Sequence, residues 1–507
     1  MTDSYLLGID IGTSACKVTL FSVDGEIVAR EAGDFRIYRP APGWAEQDPN
    51  EWWDVSSAAV KRLLSSSGVD AARIAGVGVD GQSWSAIPID RDGTVLRNTP
   101  IWMDTRAAGI CRSVVERFPE EEIFHICGNP FKPCYTTPKI LWYEKEEPRL
   151  FEKTYKILQS NAFIVFRLTG ELSHDLSQGY GLHFFDMRKR GLDGAAASRL
   201  GVDASLIPPL CESHGVVGAV TRKAAACTGL AEGTPVVAGG LDAACGTLGA
   251  GVVTGKQTQE QGGQAGGMSI CTESYRADPR LILSPHVVPG IWLLQGGTVG
   301  GGGALKWAEA ELGAAERAEA GARGVSAFRV LDEEAERIAP GSDGVVFLPY
   351  LSGERSPLWD ERAKGVWYGL DYRKTRAHLF RAVLEGVAFS LRHNIETARE
   401  AGAEAGTLHT TGGGAASGLW NRIKADVTGH EIVVTGAESA TGAGAVMLAG
   451  VGTGIYSGFK EAVSVFTKEN ARYGPDAKNK AVYDRGYEIY RELYERLRPV
   501  MHRKEAL

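Results

Sequence analysis

The stretch Gly8-Ile-Asp-Ile-Gly-Thr-Ser14 places one carboxylate, Asp10, inside a tight glycine turn between two strands. Residues 5–9 and 16–21 read as the strands, and Asp24-Gly25 marks the next hairpin. Gly12 lets backbone approach a bound group, Thr13 and Ser14 bring hydroxyls and amides suited to phosphate oxygens, and Asp10 suits the hydrated Mg2+ that accompanies ATP. A plain strand-joining turn could carry the same residues, so the rest of the chain has to decide between the two readings.

Working outward, the same arrangement of strand, glycine and polar residue recurs. Residues 74–79 form a buried strand that runs into Asp80-Gly81-Gln82-Ser83-Trp84. Residues 236–238 lead into Gly239-Gly240-Leu241-Asp242 and a small-residue helix over 243–251; residues 408–411 open into Gly412-Gly413-Gly414. Short β-branched runs alternate with helical patterns from end to end, an α/β signature in which ligands gather at strand ends. The 507 residues suit two domains, and the spacing places the junction near residue 250, giving units 1–250 and 251–507 around a crevice.

Composition excludes several classes. A net charge of −7 and the lack of a long Lys/Arg run argue against nucleic acid as a partner. No leader pattern and no membrane-length apolar run are present, which predicts a cytoplasmic protein without a membrane partner. The eight cysteines lie apart with no metal spacing and read as reduced, mostly buried thiols. The 64 glycines cluster beside strands, a pattern expected of backbone-lined ligand sites.

Longer motifs narrow the reading further. Gly365-Val-Trp-Tyr-Gly-Leu370 followed by His378-Leu-Phe-Arg-Ala-Val-Leu-Glu385, and Thr136-Thr-Pro-Lys-Ile-Leu-Trp142, resemble the two signatures of the FGGY family of carbohydrate kinases. Trp44-Ala-Glu-Gln-Asp-Pro49, Ile101-Trp-Met-Asp-Thr-Arg106 and Gly353-Glu-Arg-Ser-Pro357 are most similar to its xylulokinase branch. The resemblance spans essentially the whole chain. It implies a two-domain α/β fold of the actin/hexokinase (ribonuclease H-like) ATPase type, with the active site in the interdomain cleft, the sugar and first phosphate hairpin in the first domain and nucleotide in the second.

The resemblance also implies roles. Asp242 would be the general base for a sugar hydroxyl, where the residues alone also allow a helix N-cap. Asp10 would be the Mg2+-linked carboxylate, with Gly12, Thr13, Ser14 and Lys17 near the phosphates. Gly263, Gly300 and Gly303 would line the phosphate side of the nucleotide, and Gly413, Gly414 and Ser417 the adenosine, although a triple glycine is more often an ordinary turn. Gln82, Ser83, Trp84 and Asp104 would meet the sugar, Asn161 is read as a positioning residue, Trp307 as core, and residues 483–498 as an amphipathic terminal helix. A homodimer is left open.

Two departures matter. Xylulokinases carry Gln-Met-His-Gly where this chain has Gln82-Ser83-Trp84-Ser85, so a hydroxyl-exchanging imidazole is replaced by an indole with one donor and a large apolar face, or by a core tryptophan. The second hairpin reads Gln261-Gly-Gly-Gln-Ala-Gly-Gly267 where the family has Gly-Thr-Ser. The function expected is ATP-dependent phosphorylation of a small ketose or polyol, a xylulose-like pentulose first; the alternative is a catalytically weak sugar-binding or regulatory protein on the same scaffold.

Overall fold

The computed structural model describes residues 4–436 and 439–503. Two seven-stranded sheets organise it, and they share one plan. In the first, Tyr5–Ile11 is central, antiparallel to Ala15–Ser22 and parallel to Ile74–Gly81. Ile27–Asp34 closes one side, Pro235–Val237 and Val216–Ala219 the other, and the short Gly240–Leu241 strand pairs with the end of Ile74–Gly81. In the second, Thr258–Gln261 is central, antiparallel to Gly266–Thr272 and parallel to Leu408–Thr411. The expected α/β class and strand-turn-strand units are therefore present.

Burial explains the strand sequences. Leu6, Leu7, Ile9 and Ile11 are covered on both faces, so the strand reads as a continuous apolar run rather than an alternation. The edge strand Ile27–Asp34 is polar and half exposed, which blunts edge pairing. The helix Pro49–Ser67 starts at Asp48, whose carboxylate accepts the Asn50 amide, and lays Trp52, Val60 and Leu63 against the first sheet.

Between the sheets two small-residue helices pack face to face: Asp242–Gly249 and Ala440–Gly452. The second also lies on the first sheet, where a Cβ at Gly8 would stand 2.9 Å from the Gly442 carbonyl oxygen. A share of the glycine excess thus serves close backbone packing rather than ligand contact. The terminal helix runs from Lys480 to Met501 and buries Tyr483, Tyr487, Tyr490 and Tyr494 in the second-half core. Trp307 is not core: it is half exposed and stacks on Trp367. All eight cysteines are free; five are buried and Cys227 is exposed. Among the described residues no helix is long and apolar enough to cross a membrane.

Candidate active site

Three neighbouring strands of the first sheet end in carboxylates. Asp10 and Asp80 are direct partners in the parallel register, Gly240 pairs with Asp80, and Asp242 follows two residues later at the head of its helix. All three gather where the first sheet meets the two small-residue helices. Gly239, with a left-handed φ of 72°, turns the chain into this position over Val79.

The electrostatics are unbalanced. Asp10 is buried; its Oδ2 accepts the Thr441 hydroxyl at 2.9 Å, and the exposed Lys17 ammonium stands 3.6 Å away. Asp80 is fully buried and neither carboxylate oxygen has a hydrogen-bond partner. Burial, then Asp10, then Asp242 hold its carboxyl well above the usual range. Burial, with Asp10 second, pushes Asp242 up to about 7. A carboxylate poised there can accept a hydroxyl proton near neutrality.

The first hairpin is braced from outside. Gly12 N–H donates to the Ala15 carbonyl, the Trp102 indole donates to Thr13 Oγ1 at 2.9 Å, and Gln47 donates to the Thr13 carbonyl at 2.8 Å. Ser14 is exposed beside it. Gln47 also accepts from Gln82 at 2.7 Å, so the first hairpin and the loop after Ile74–Gly81 are tied through one side chain. Asp104, expected at the sugar, is instead consumed structurally: it is fully buried, with its oxygens taken by the Ala45 amide and the Arg106 guanidinium, which itself stacks on Trp44. A carboxylate so occupied has no lone pair to offer a hydroxyl.

Trp84 takes a left-handed φ of 58°, held by Lys139, whose ammonium donates to the Trp84 and Ile101 carbonyls at 2.8 and 2.9 Å. Its ring packs on Tyr135 (4.2 Å between centroids) and Tyr180 (5.4 Å), and its indole N–H has no acceptor. The Tyr180 hydroxyl donates to Ser83 at 2.7 Å. Burial lowers Lys139 to about 7. The signature lysine therefore shapes the loop rather than reaching a ligand.

In the second half, Gly263, Gly413, Gly414 and Ser417 line a cavity of about 580 Å³, together with Gly302, Phe328 and Asp332. Gly300 and Gly303 do not line it: Gly300 is packed on Pro349, and Gly303 faces Gln264. Gly262, Gly263 and Gln264 border the cavity although their hairpin lacks hydroxyls, and backbone amides there can still face a phosphate.

Sequence reasoning left out Asp80, Gln47, Trp102, Tyr135 and Tyr180. Asp80 stood in plain view at a strand end, but its pairing with Asp10 depends on strand register.

The chain matches the model of the FGGY family of carbohydrate kinases, N-terminal domain, over residues 5–249 and the C-terminal domain over residues 267–453. It belongs to that family. It is 32% identical over 492 residues to the xylulose kinase of Bacillus subtilis (strain 168), covering 97% of this chain and 96% of that protein. It is also 32% identical to the xylulose kinase of Escherichia coli (strain K12), covering 98% and 99% of the two chains. The crystal structure of the xylulose kinase from Rhodospirillum rubrum superposes with a TM-score of 0.89 at 31% identity, over 98% of this chain and all of that one. This carbohydrate kinase therefore has the two-domain actin/hexokinase-like fold and phosphorylates a sugar hydroxyl at the expense of ATP.

Proposed function

We propose that this kinase transfers the γ-phosphoryl group of ATP to a hydroxyl of a small ketose, a xylulose-like pentulose first, with Asp242 as the base. The observation that carries the proposal is the Asp242 carboxylate: it heads a helix after two glycines, beside Asp10, with its proton affinity raised to about 7. Phosphoryl transfer asks for an aligned hydroxyl, an acceptor for its proton and charge around the phosphates. The nucleotide would occupy the 580 Å³ cavity, its phosphates facing Gly262, Gly263 and Gly302 from the second half and Gly12 to Ser14 from the first. Lys17 stands near Asp10 as a mobile cation for the same charges.

The donor set near Asp10 fits Mg2+. A hard cation that rides on phosphate oxygens and water needs one or two carboxylates and no larger cage. When bound, the ion neutralises charge on the transferring phosphate. Asp10 would hold it, while Asp242 accepts the hydroxyl proton. The sheets at residues 1–250 and 251–507 would form the cores of two domains that close on the ligands.

Substrate class rests on two supports. The two relatives named above are xylulose kinases, whereas Trp84, itself buried against Tyr135 and Tyr180, would set an indole wall at the end of the strand Ile74–Gly81. A hydroxyl left unpaired against that wall costs about 1–3 kcal/mol, so sugars lacking one there are favoured. The test is sugar-stimulated ADP release over a panel of ketopentoses, deoxy sugars, aldonates and linear polyols. Stimulation by a ketopentose supports the reading, and Trp84→His should raise kcat/KM for D-xylulose relative to the other acceptors. Stimulation confined to aldonates or polyols, or equal losses across the panel in Trp84→His, sinks the substrate assignment.

A further inference from the structure

Asp242 and the sugar loop are both held by one short turn that no motif in the sequence singled out. The turn Leu176–Gly181 begins at Asp175, whose Oδ1 accepts the Gln178 amide at 3.2 Å. Asp175, Ser177, Gln178 and Asn161 are all essentially inaccessible to solvent. The Ser177 hydroxyl donates to Asp175 Oδ1, and the same oxygen of Ser177 accepts the Leu241 amide at 2.9 Å. Asn161 Nδ2 donates to Asp175 Oδ2 at 2.9 Å and to the Ala238 carbonyl at 3.2 Å. The Gly239-Gly240 segment is thus bracketed. The carbonyl before it and the amide after it are gripped by two side chains that converge on one carboxylate.

The other side of the turn reaches the sugar loop. Gln178 Nε2 donates to the Gly81 carbonyl at 3.2 Å and the Gln82 carbonyl at 3.4 Å, and Tyr180 holds Ser83. Burying a carboxylate in a core is unfavourable unless its hydrogen bonds are met, and burial raises Asp175 to about 6 even with four donors around it. An apolar residue would fill the same volume without that cost. What it could not do is fix backbone atoms next to Asp242 in a stretch where two successive glycines give the chain its greatest freedom. Gly240 is tight enough against the turn that a Cβ there would stand 2.9 Å from Ser177 Oγ.

We infer that Asp175 and Ser177 are positioning residues: through the Leu241 amide and, by way of Asn161, the Ala238 carbonyl, they hold Asp242 at the angle from which it meets the sugar hydroxyl. The inference rests on Asp242 being the base. A misplacement of a base by a fraction of an ångström reduces turnover without altering ground-state binding.

The test combines Ser177→Ala and Asp175→Asn, each made alone and in an Asp242→Asn background, with a sugar identified by the panel. In the otherwise native enzyme Ser177→Ala should lower kcat about 10- to 100-fold, with KM for ATP and the equilibrium sugar affinity, read from tryptophan fluorescence, within about 2-fold. In the Asp242→Asn background the same substitution should change the residual kcat by less than about 2-fold, because the residue acts only through the base. An equal loss in both backgrounds, or a loss that follows sugar affinity and melting temperature, overturns the inference. Near-native turnover of Ser177→Ala also overturns it and leaves the base assignment standing. Near-native turnover of Asp242→Asn alone removes the base itself, whatever Ser177 does. Should Ser177→Ala not fold, Asp175→Asn gives the same reading, since it keeps the volume and sets an amide against Asn161; if neither folds, the turn is a folding element and the inference falls.

Discussion

Asp10 and Glu260 occupy the same place in the two halves. Each is the penultimate residue of its central strand, two residues before the hairpin glycine. Across the parallel register Asp10 faces Asp80, whereas Glu260 faces Thr410. Glu260 accepts from Thr410 and is ion-paired at 2.9 Å with the buried Lys424 ammonium, which lies over the ring of Trp420 in the wall of the 580 Å³ cavity. Its charge is spent on joining the second hairpin to the helix Gly418–Thr428. Asp10 has only a hydroxyl and an exposed lysine 3.6 Å away, with a second carboxyl beside it. One plan therefore yields a neutralised strut in one half and an uncompensated acidic site in the other. Chemistry is expected where the charge is left over, because a site already neutralised has nothing to offer a cation or a proton.

The sharpest break in this contrast is Asp242→Asn. It should lower kcat by about 10^2 to 10^4-fold in a folded protein, and native kcat/KM should fall as pH drops through about 7, where the free carboxylate becomes protonated. A rate independent of pH from 5.5 to 8 would exclude Asp242 as the group that titrates.

Next comes the strut. Lys424→Met strands a buried carboxylate and should destabilise by about 3–5 kcal/mol, read as a lower urea midpoint, with most of the loss recovered in Lys424→Met combined with Glu260→Gln. Equal stability of all three proteins would mean that the pair holds nothing together.

Asp10→Ala should be milder in kind, lowering turnover about 10- to 100-fold and raising the Mg2+ concentration for half-maximal rate, with sugar affinity preserved. Loss of sugar affinity at unchanged metal dependence contradicts the assignment.

The smallest effect is expected from Asp80→Asn. The folded protein keeps Asp80 protonated above the range of an unfolded aspartate, so the stability this residue contributes is whole below about pH 4 and is lost as pH rises toward its raised value. Asparagine has no such dependence. The variant should therefore melt about 2–4 °C higher than the native protein at pH 8 and at nearly the same temperature at pH 4; a gap that does not widen with pH argues against a buried neutral acid.

The strongest motif in the sequence turned out to be architectural. Gly365 to Glu385 builds a strand and the start of a long helix, in which Glu385 binds Arg381, Ser342 and the Gly341 amide, well inside the second-half core. Lys139 of the other signature grips two carbonyls. Such residues identify a family because a buried ionic or amide-binding side chain tolerates few replacements. They do not themselves mark the reacting groups. The expected sites fared unevenly for the same reason: Gly263, Gly413, Gly414 and Ser417 border one cavity, while Gly300, Gly303 and Asp104 are committed to packing or internal hydrogen bonds.

By itself the sequence determined the α/β class, the paired strand-turn-strand units, the family and the prominence of Asp10 and Asp242, because turn glycines, capping residues and apolar runs act over a few consecutive positions and are written there. Only the tertiary structure decided which carboxylates are left uncompensated. Asp80 meets Asp10 through the register of two strands far apart in sequence, Glu260 finds Lys424 on a helix from a later segment, and the Asp175 turn reaches Leu241 and Gly81 together. Charge balance and orientation are properties of what is brought near, and no stretch of chain carries its neighbours within itself.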